Sequence, residues 1–296
     1  MKLVMALACG LVLSVLAITP VGAAPAHPAG TEVASSAVTD ACGPQPLKPD
    51  GSPWVCTFDD EFDGTSLDRT KWVPQTQFKT GTQKAYACYR DDPANISVGG
   101  GTLNLSIVKL PQAVRCPAAK WWPATPYTGG MVSTYHLFGQ QYGRFEARVK
   151  VSDTRAPGLQ EAFWMWPDDR VASTTRWPAS GEIDVAETYS QRPDLAIPYL
   201  HYTAYDNWGA VQGTNTSWSC TAHRGEFNTY TLEWGPSRLE IWVNGVSCLV
   251  NTSGDKAFQK PYIVAFTQAL GVGSNAYTGA QPLPATMNVD YLRVWQ

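Results

Sequence analysis

Three carboxylates fall between Glu182 and Glu187, in the run Gly181-Glu182-Ile183-Asp184-Val185-Ala186-Glu187-Thr188. Successive side chains on a β-strand point to opposite faces. Glu182 and Asp184 therefore share one face, and Ile183 and Val185 share the other. Glu187 has the wrong parity and on a regular strand would point into the core. One extra residue at Val185-Ala186, a β-bulge, returns it to the acidic face. Like charges crowded on one strand face repel one another, so structure alone is a weak reason for this run.

The rest of the chain also reads as strands. Leu103-Asn104-Leu105-Ser106-Ile107 alternates after a glycine turn, and Phe145 to Val151 alternates over its whole length. Tyr230 to Trp234 and Leu239 to Val243 form a hairpin across Gly235-Pro236-Ser237-Arg238, and Asn244-Gly245 marks a second tight turn. Met287 to Trp295 closes the chain as a strand, and no segment has helical periodicity of helix length. The fold class is all-β: a two-sheet antiparallel sandwich with jelly-roll topology.

Lys2, the apolar stretch Leu3 to Ile18 and the small residues Val21-Gly22-Ala23 read as a secretory signal peptide over residues 1–23. The stretch is too short and wrongly flanked for a membrane anchor. Residues 24–53 are rich in Pro, Ala, Ser and Thr and read as a flexible leader, with order beginning near Cys42 or Trp54. Residues 54–296 contain no linker and form one domain. Cys9 leaves with the signal, and Cys42, Cys56, Cys88, Cys116, Cys220 and Cys248 suggest three disulfides. Pairing of neighbours is favoured, with Cys220–Cys248 best supported because it brackets the hairpin. No Cys-x-x-Cys spacing supports zinc.

The formal net charge is −3 with scattered Lys and Arg, which excludes the basic patch of a nucleic-acid binder. Only 16% of residues are charged, against 12 Trp and 13 Tyr, a balance suited to a neutral, hydroxyl-rich ligand whose apolar faces stack on aromatic rings. Paired carboxylates are what cleavage of a glycosidic bond requires. The expected partner is a polysaccharide, with neither nucleic acid nor membrane, and the expected state is a secreted monomer.

Over residues 57 to 296 the chain resembles glycoside hydrolase family 16, most closely its laminarinase-like (endo-β-1,3-glucanase) branch. The resemblance is carried in order by Phe58-Asp59-Asp60-Glu61-Phe62-Asp63-Gly64 with Lys71-Trp72, by Tyr142 to Lys150, by Ala162-Phe163-Trp164-Met165, by Trp177 to Asp184, by Leu200-His201-Tyr202, by Phe227 to Trp234 and by Val289 to Val294. The bulged Glu-x-Asp-x-x-Glu form is typical of β-1,3-glucanases and galactan-cleaving relatives. The resemblance implies a concanavalin A-like jelly roll. It implies Glu182 as nucleophile, Glu187 as general acid/base of a retaining double displacement, and Asp184 as the group that positions Glu182 and controls its charge. Crowding of the three raises one apparent pKa, which suits the acid.

For substrate binding the resemblance points to Trp177 as a stacking platform, Trp164 on a similarly placed strand, Asn95 lining the cleft, His201 on the strand next to Glu187, and Gln268 where relatives carry Asn. Asp290 resembles the family's calcium-binding aspartate, with backbone carbonyls near Glu61 and Gly101 completing a purely structural site. No cofactor is expected for catalysis. Laminarinases usually carry Trp-Pro where Gln160-Glu161 stand here, and Asp168 to Arg176 reads as a longer cleft-side loop. The leading function is a secreted endo-β-glycanase acting on β-1,3-glucan. A galactan hydrolase or cell-wall transglycosylase uses the same carboxylates. A non-catalytic lectin-like protein shares the sandwich, but the intact triplet argues against it.

Overall fold

The computed structural model describes residues 39–171, 176–202 and 209–296. The signal segment, the first half of the leader and residues 172–175 of the cleft-side loop lie outside the described residues. Strands are numbered β1 to β19 along the chain. One sheet has six strands in the order β14 (Ala196–His201), β13 (Glu182–Tyr189), β12 (Leu159–Pro167), β18 (Tyr262–Leu270), β10 (Met131–Ser133) and β4 (Val73–Pro74). The larger sheet runs β17 (Val246–Asn251), β16 (Arg238–Val243), β15 (Phe227–Gly235), β11 (Gly143–Lys150), β19 (Ala285–Trp295), β8 (Leu103–Val114), β9 (Thr125–Gly129), β6 (Ala85–Tyr89) and β5 (Lys79–Thr82). In the same sheet β3 (Cys56–Asp60) pairs with β19, and β7 (Ile96–Val98) pairs with β8.

Alternation in the sequence becomes alternation of burial. In β11, Phe145, Ala147 and Val149 are buried, while Arg144, Glu146 and Arg148 face outward. The outward guanidinium groups find carboxylates on neighbouring strands: Arg144 Nη1 donates to Glu233 Oε1 and Arg148 Nη1 to Asp290 Oδ2, each at 2.6 Å. The buried faces of the two sheets meet in one core, with Phe163, Met165, Ile183 and Val185 on one side and Phe145, Leu232, Val289 and Leu292 on the other.

The Tyr230–Trp234 and Leu239–Val243 segments pair as expected, closing at Gly235 opposite Arg238. In the next hairpin Val243 pairs with Val246, and both residues between them have positive φ, Asn244 at 52° and Gly245 at 76°. That is the type I′ geometry which Asn-Gly favours. Among the described strand pairs only β6–β9 is parallel. Among the described residues helix is confined to short 3-10 turns such as Lys256–Phe258, and none is long and apolar enough to cross a membrane.

All three neighbour disulfides form, with Cα separations of 5.6 Å for Cys42–Cys56, 5.5 Å for Cys88–Cys116 and 5.3 Å for Cys220–Cys248. The first changes the picture of the leader. Composition assigns residues 39–53 to it, yet Thr39–Asp40 (β1) and Gly43–Pro44 (β2) form a small ribbon. The disulfide ties that ribbon to β3, and the Cys56 amide donates to Asp40 Oδ2 at 2.9 Å. A covalent link and a few hydrogen bonds order a segment whose one large aliphatic side chain, Leu47, is exposed.

Candidate active site

The approach to β13 needs glycine. Gly181 has φ +87°, and a Cβ there would run into the Tyr262 hydroxyl. Beyond it the pairing with β14 runs Glu182 to His201 and Asp184 to Tyr199, then resumes with Glu187 opposite Ile197. Two residues of β13, Val185 and Ala186, thus oppose one of β14, Pro198. Against β12, Asp184 faces Trp164 and Ala186 faces Phe163, which leaves Val185 over. Val185 and Ala186 are both buried in the core, at 0% and 2% exposure. This is the bulge that the parity of Glu187 demands, and it puts Glu182, Asp184 and Glu187 into one groove.

The floor of the groove is the outer face of the six-stranded sheet, with Ala162 and Trp164 from β12 and Thr267 and Ala269 from β18. Its wall comes from the other sheet, as Phe78, Lys79 and Thr80 beside Tyr89. Thr80 Oγ1 donates to the Leu270 carbonyl at 2.8 Å and holds wall to floor. The groove continues past Trp164 to Trp166, Ser133 and Tyr135.

Burial and the charge of Asp184 push Glu182 up to about 8, while the charge of His201 and the Trp177 N–H pull the other way. Trp177 Nε1 donates to Glu182 Oε2 at 2.7 Å. Burial also raises Glu187, opposed by hydrogen bonds from Tyr189 and Gln160. Asp184 Oδ2 lies 3.1 Å from His201 Nε2. The His201 ring stacks on Tyr199 at 4.3 Å and lies 5.2 Å from Trp177. Acids this close titrate as a group rather than singly.

Trp164, Trp177 and His201 are therefore at the site, and His201 lies on the strand next to Glu187 as expected, across from Glu182 and within 3.1 Å of Asp184. Two expected groove residues are elsewhere. Asn95 is buried at 2% exposure and its amide donates to the Ser106 carbonyl, so it braces a loop. Gln268 is fully buried, because its neighbours Thr267 and Ala269 take the groove face. Its amide donates to Glu161 Oε1 at 3.1 Å. Glu161 adds no charge to the groove: it points inward and pairs with Arg224 at 2.8 and 2.9 Å, both side chains almost wholly buried. The residue missed is Gln160, which donates to Glu187 Oε1 at 2.5 Å.

The calcium site expected from Asp290 and the backbone carbonyls near Glu61 and Gly101 has its carboxylate already engaged. Asp290 is paired with Arg148, and both oxygens of Glu61 accept from Arg293, at 2.7 and 2.9 Å. Gly101 sits in a turn with φ 72°. The Arg148 guanidinium already neutralises the one carboxylate that this site would offer calcium. Dialysis against EDTA should leave the thermal midpoint unchanged, and re-addition of Ca²⁺ should not raise it.

A β-sandwich that gathers carboxylates on a bulged strand, in an open groove lined by aromatic side chains, has the architecture of an enzyme acting on glycosidic bonds. Residues 81–293 match the family described as glycosyl hydrolases family 16, and the chain belongs to that family. It is 26% identical to glucan endo-1,3-beta-glucosidase A1 of Niallia circulans, over 81% of this chain and 37% of that protein. It is 30% identical to a keratan-sulfate endo-1,4-beta-galactosidase of Sphingobacterium multivorum, over 81% of this chain and 54% of that protein. The chain thus spans well under two thirds of either relative. The structure of SCLam, a non-specific endo-β-1,3(4)-glucanase of family 16 with an oligosaccharide at its active site, matches with a TM-score of 0.69 at 26% identity, over 85% of this chain and 97% of SCLam. The jelly-roll assignment stands with it.

Proposed function

We propose that this protein is a secreted, retaining endo-β-glycanase that cuts internal bonds of a polysaccharide, with β-1,3-glucan as its polymer. The observation that carries the reading is the convergence of Glu182, Asp184 and Glu187 in one groove by a single bulge. Glu182 attacks the anomeric carbon while Glu187 protonates the departing oxygen. Glu187 then takes a proton from the water that releases the sugar from Glu182. Burial and Asp184 raise Glu182 to about 8, so the working state requires a proton to pass from Glu182 to its neighbours. The positive charge His201 can carry, and the Trp177 N–H, favour that transfer. The extension of the groove toward Trp166 and Tyr135 supports binding of a chain in mid-length. The apolar segment Leu3 to Ile18 and the three disulfides support export.

A galactan substrate is the second reading. It is favoured by Gln160, a hydrogen-bonding side chain where a laminarinase is expected to offer a stacking ring, and by the likeness to the galactosidase. Incubation with laminarin, lichenan, agarose and galactan, followed by product analysis, decides. Shortened oligosaccharides from laminarin are expected. Lengthened ones would identify a transglycosylase, and binding without any products would identify a lectin.

A further inference from the structure

Gln160 lies on β12 opposite Tyr189 of β13 and shares the groove face with Ala162 and Trp164. Its Nε2 is 2.5 Å from Glu187 Oε1 and 3.5 Å from the Tyr189 hydroxyl. An amide NH2 only donates, so the oxygen it faces can only accept. A protonated Glu187 must therefore carry its hydrogen on Oε2. We propose that Gln160 is the positioning residue of the acid/base: it selects the Glu187 oxygen that bears the proton, and it stabilises the carboxylate left once the proton has gone. This rests on the reading of Glu187 as acid/base.

The other face of the same strands holds the pair in place. Glu161, next to Gln160, accepts from Arg224, from Gln268 and from Thr188 Oγ1, the last at 2.8 Å. Thr188 directly follows Glu187. The backbone beside both partners is thus pinned from beneath by one buried carboxylate, and the Gln160 amide has a narrow range of positions.

The charged and titratable groups around Glu187 are Glu182, Asp184 and Tyr189 on its own strand, His201 and Tyr199 on β14, Lys79 on β5 and Tyr89 on β6. Burial drives Glu187 toward its neutral form, and Tyr189, Gln160 and His201 pull it back. Removing the Gln160 donor leaves burial less opposed, so the carboxyl must hold its proton to higher pH.

The test is a carbon-13 NMR titration of glutamate-labelled protein, with the Glu187 resonance assigned by its absence in Glu187→Gln. In Gln160→Leu the Glu187 midpoint should rise by about half a pH unit or more. In Gln160→Glu, which keeps the shape but adds a carboxylate, it should rise further. Should Gln160→Leu fail to fold, the isosteric Gln160→Glu carries the measurement alone. Midpoints equal to wild type overturn the proposal. On laminarin, Gln160→Leu should lower kcat by about tenfold and change KM by less than about threefold. A change confined to KM would make Gln160 a sugar contact and overturn it too. Wild-type turnover by Glu187→Gln would instead remove the acid/base reading, which the titration does not depend on.

Discussion

Glu182→Gln should lower turnover by about four orders of magnitude or more, because the amide cannot form the glycosyl intermediate. The same variant should be more stable than wild type, by an amount that depends on pH. Burial beside Asp184 lifts Glu182 from an ordinary 4.5 to about 8. Between those values the folded chain keeps a proton that the unfolded chain has released, so wild-type stability falls as pH climbs through the window. The glutamine variant is spared that fall. Its advantage should be absent below pH 4.5, should grow through neutrality and should level off near pH 8. A tenfold change in proton affinity corresponds to about 1.4 kcal/mol, so the full gain is a few kcal/mol at most. Urea denaturation at several pH values measures it. A gain that is the same at acid and alkaline pH would show that the Glu182 proton is not its source. Undiminished hydrolysis would remove Glu182 from the chemistry.

Arg224→Met should have the largest effect on stability. The Arg224 and Glu161 side chains are 2% and 1% exposed. Breaking a buried ion pair from one side leaves an uncompensated charge, at a cost of about 3–5 kcal/mol. That is a large part of the roughly 5–15 kcal/mol by which a domain is stable. Changing Glu161 to Gln in the same chain removes the stranded charge and keeps an acceptor for Thr188 and Gln268, so the double variant should recover most of the loss. If Arg224→Met alone unfolds at the wild-type urea midpoint, the pair contributes nothing to stability.

Much of this site is legible from parity alone. Glu187 is out of phase with Glu182 and Asp184, and a bulge is the one-residue remedy, which the pairing with β12 and β14 bears out. Gln160 was within reach of the same arithmetic. It stands two strides from Trp164, so a groove-facing Trp164 places Gln160 in the groove as well. Gln268 was harder, because Tyr262–Leu270 is apolar on both faces and its pattern does not say which one meets the groove. Asn95 depends on a contact with Ser106 across the turn between strands, and the ion pair that engages the Asp290 carboxylate joins residues as distant as Arg148 and Asp290. Chain-distant pairs leave no mark on local periodicity.

The floor of the groove belongs to one layer of the sandwich and its wall, at Phe78 to Thr80, to the other. The width available to a sugar chain is therefore set where wall and floor are joined, by the buried cluster of Ala87, Ile107, Leu159 and Leu270. Bulkier or smaller residues at Ala87, Leu159 or Leu270, all fully buried and out of reach of a ligand, would act as shims on the opening. Selectivity among glycans of different girth can then drift through the interior while every residue lining the groove stays the same.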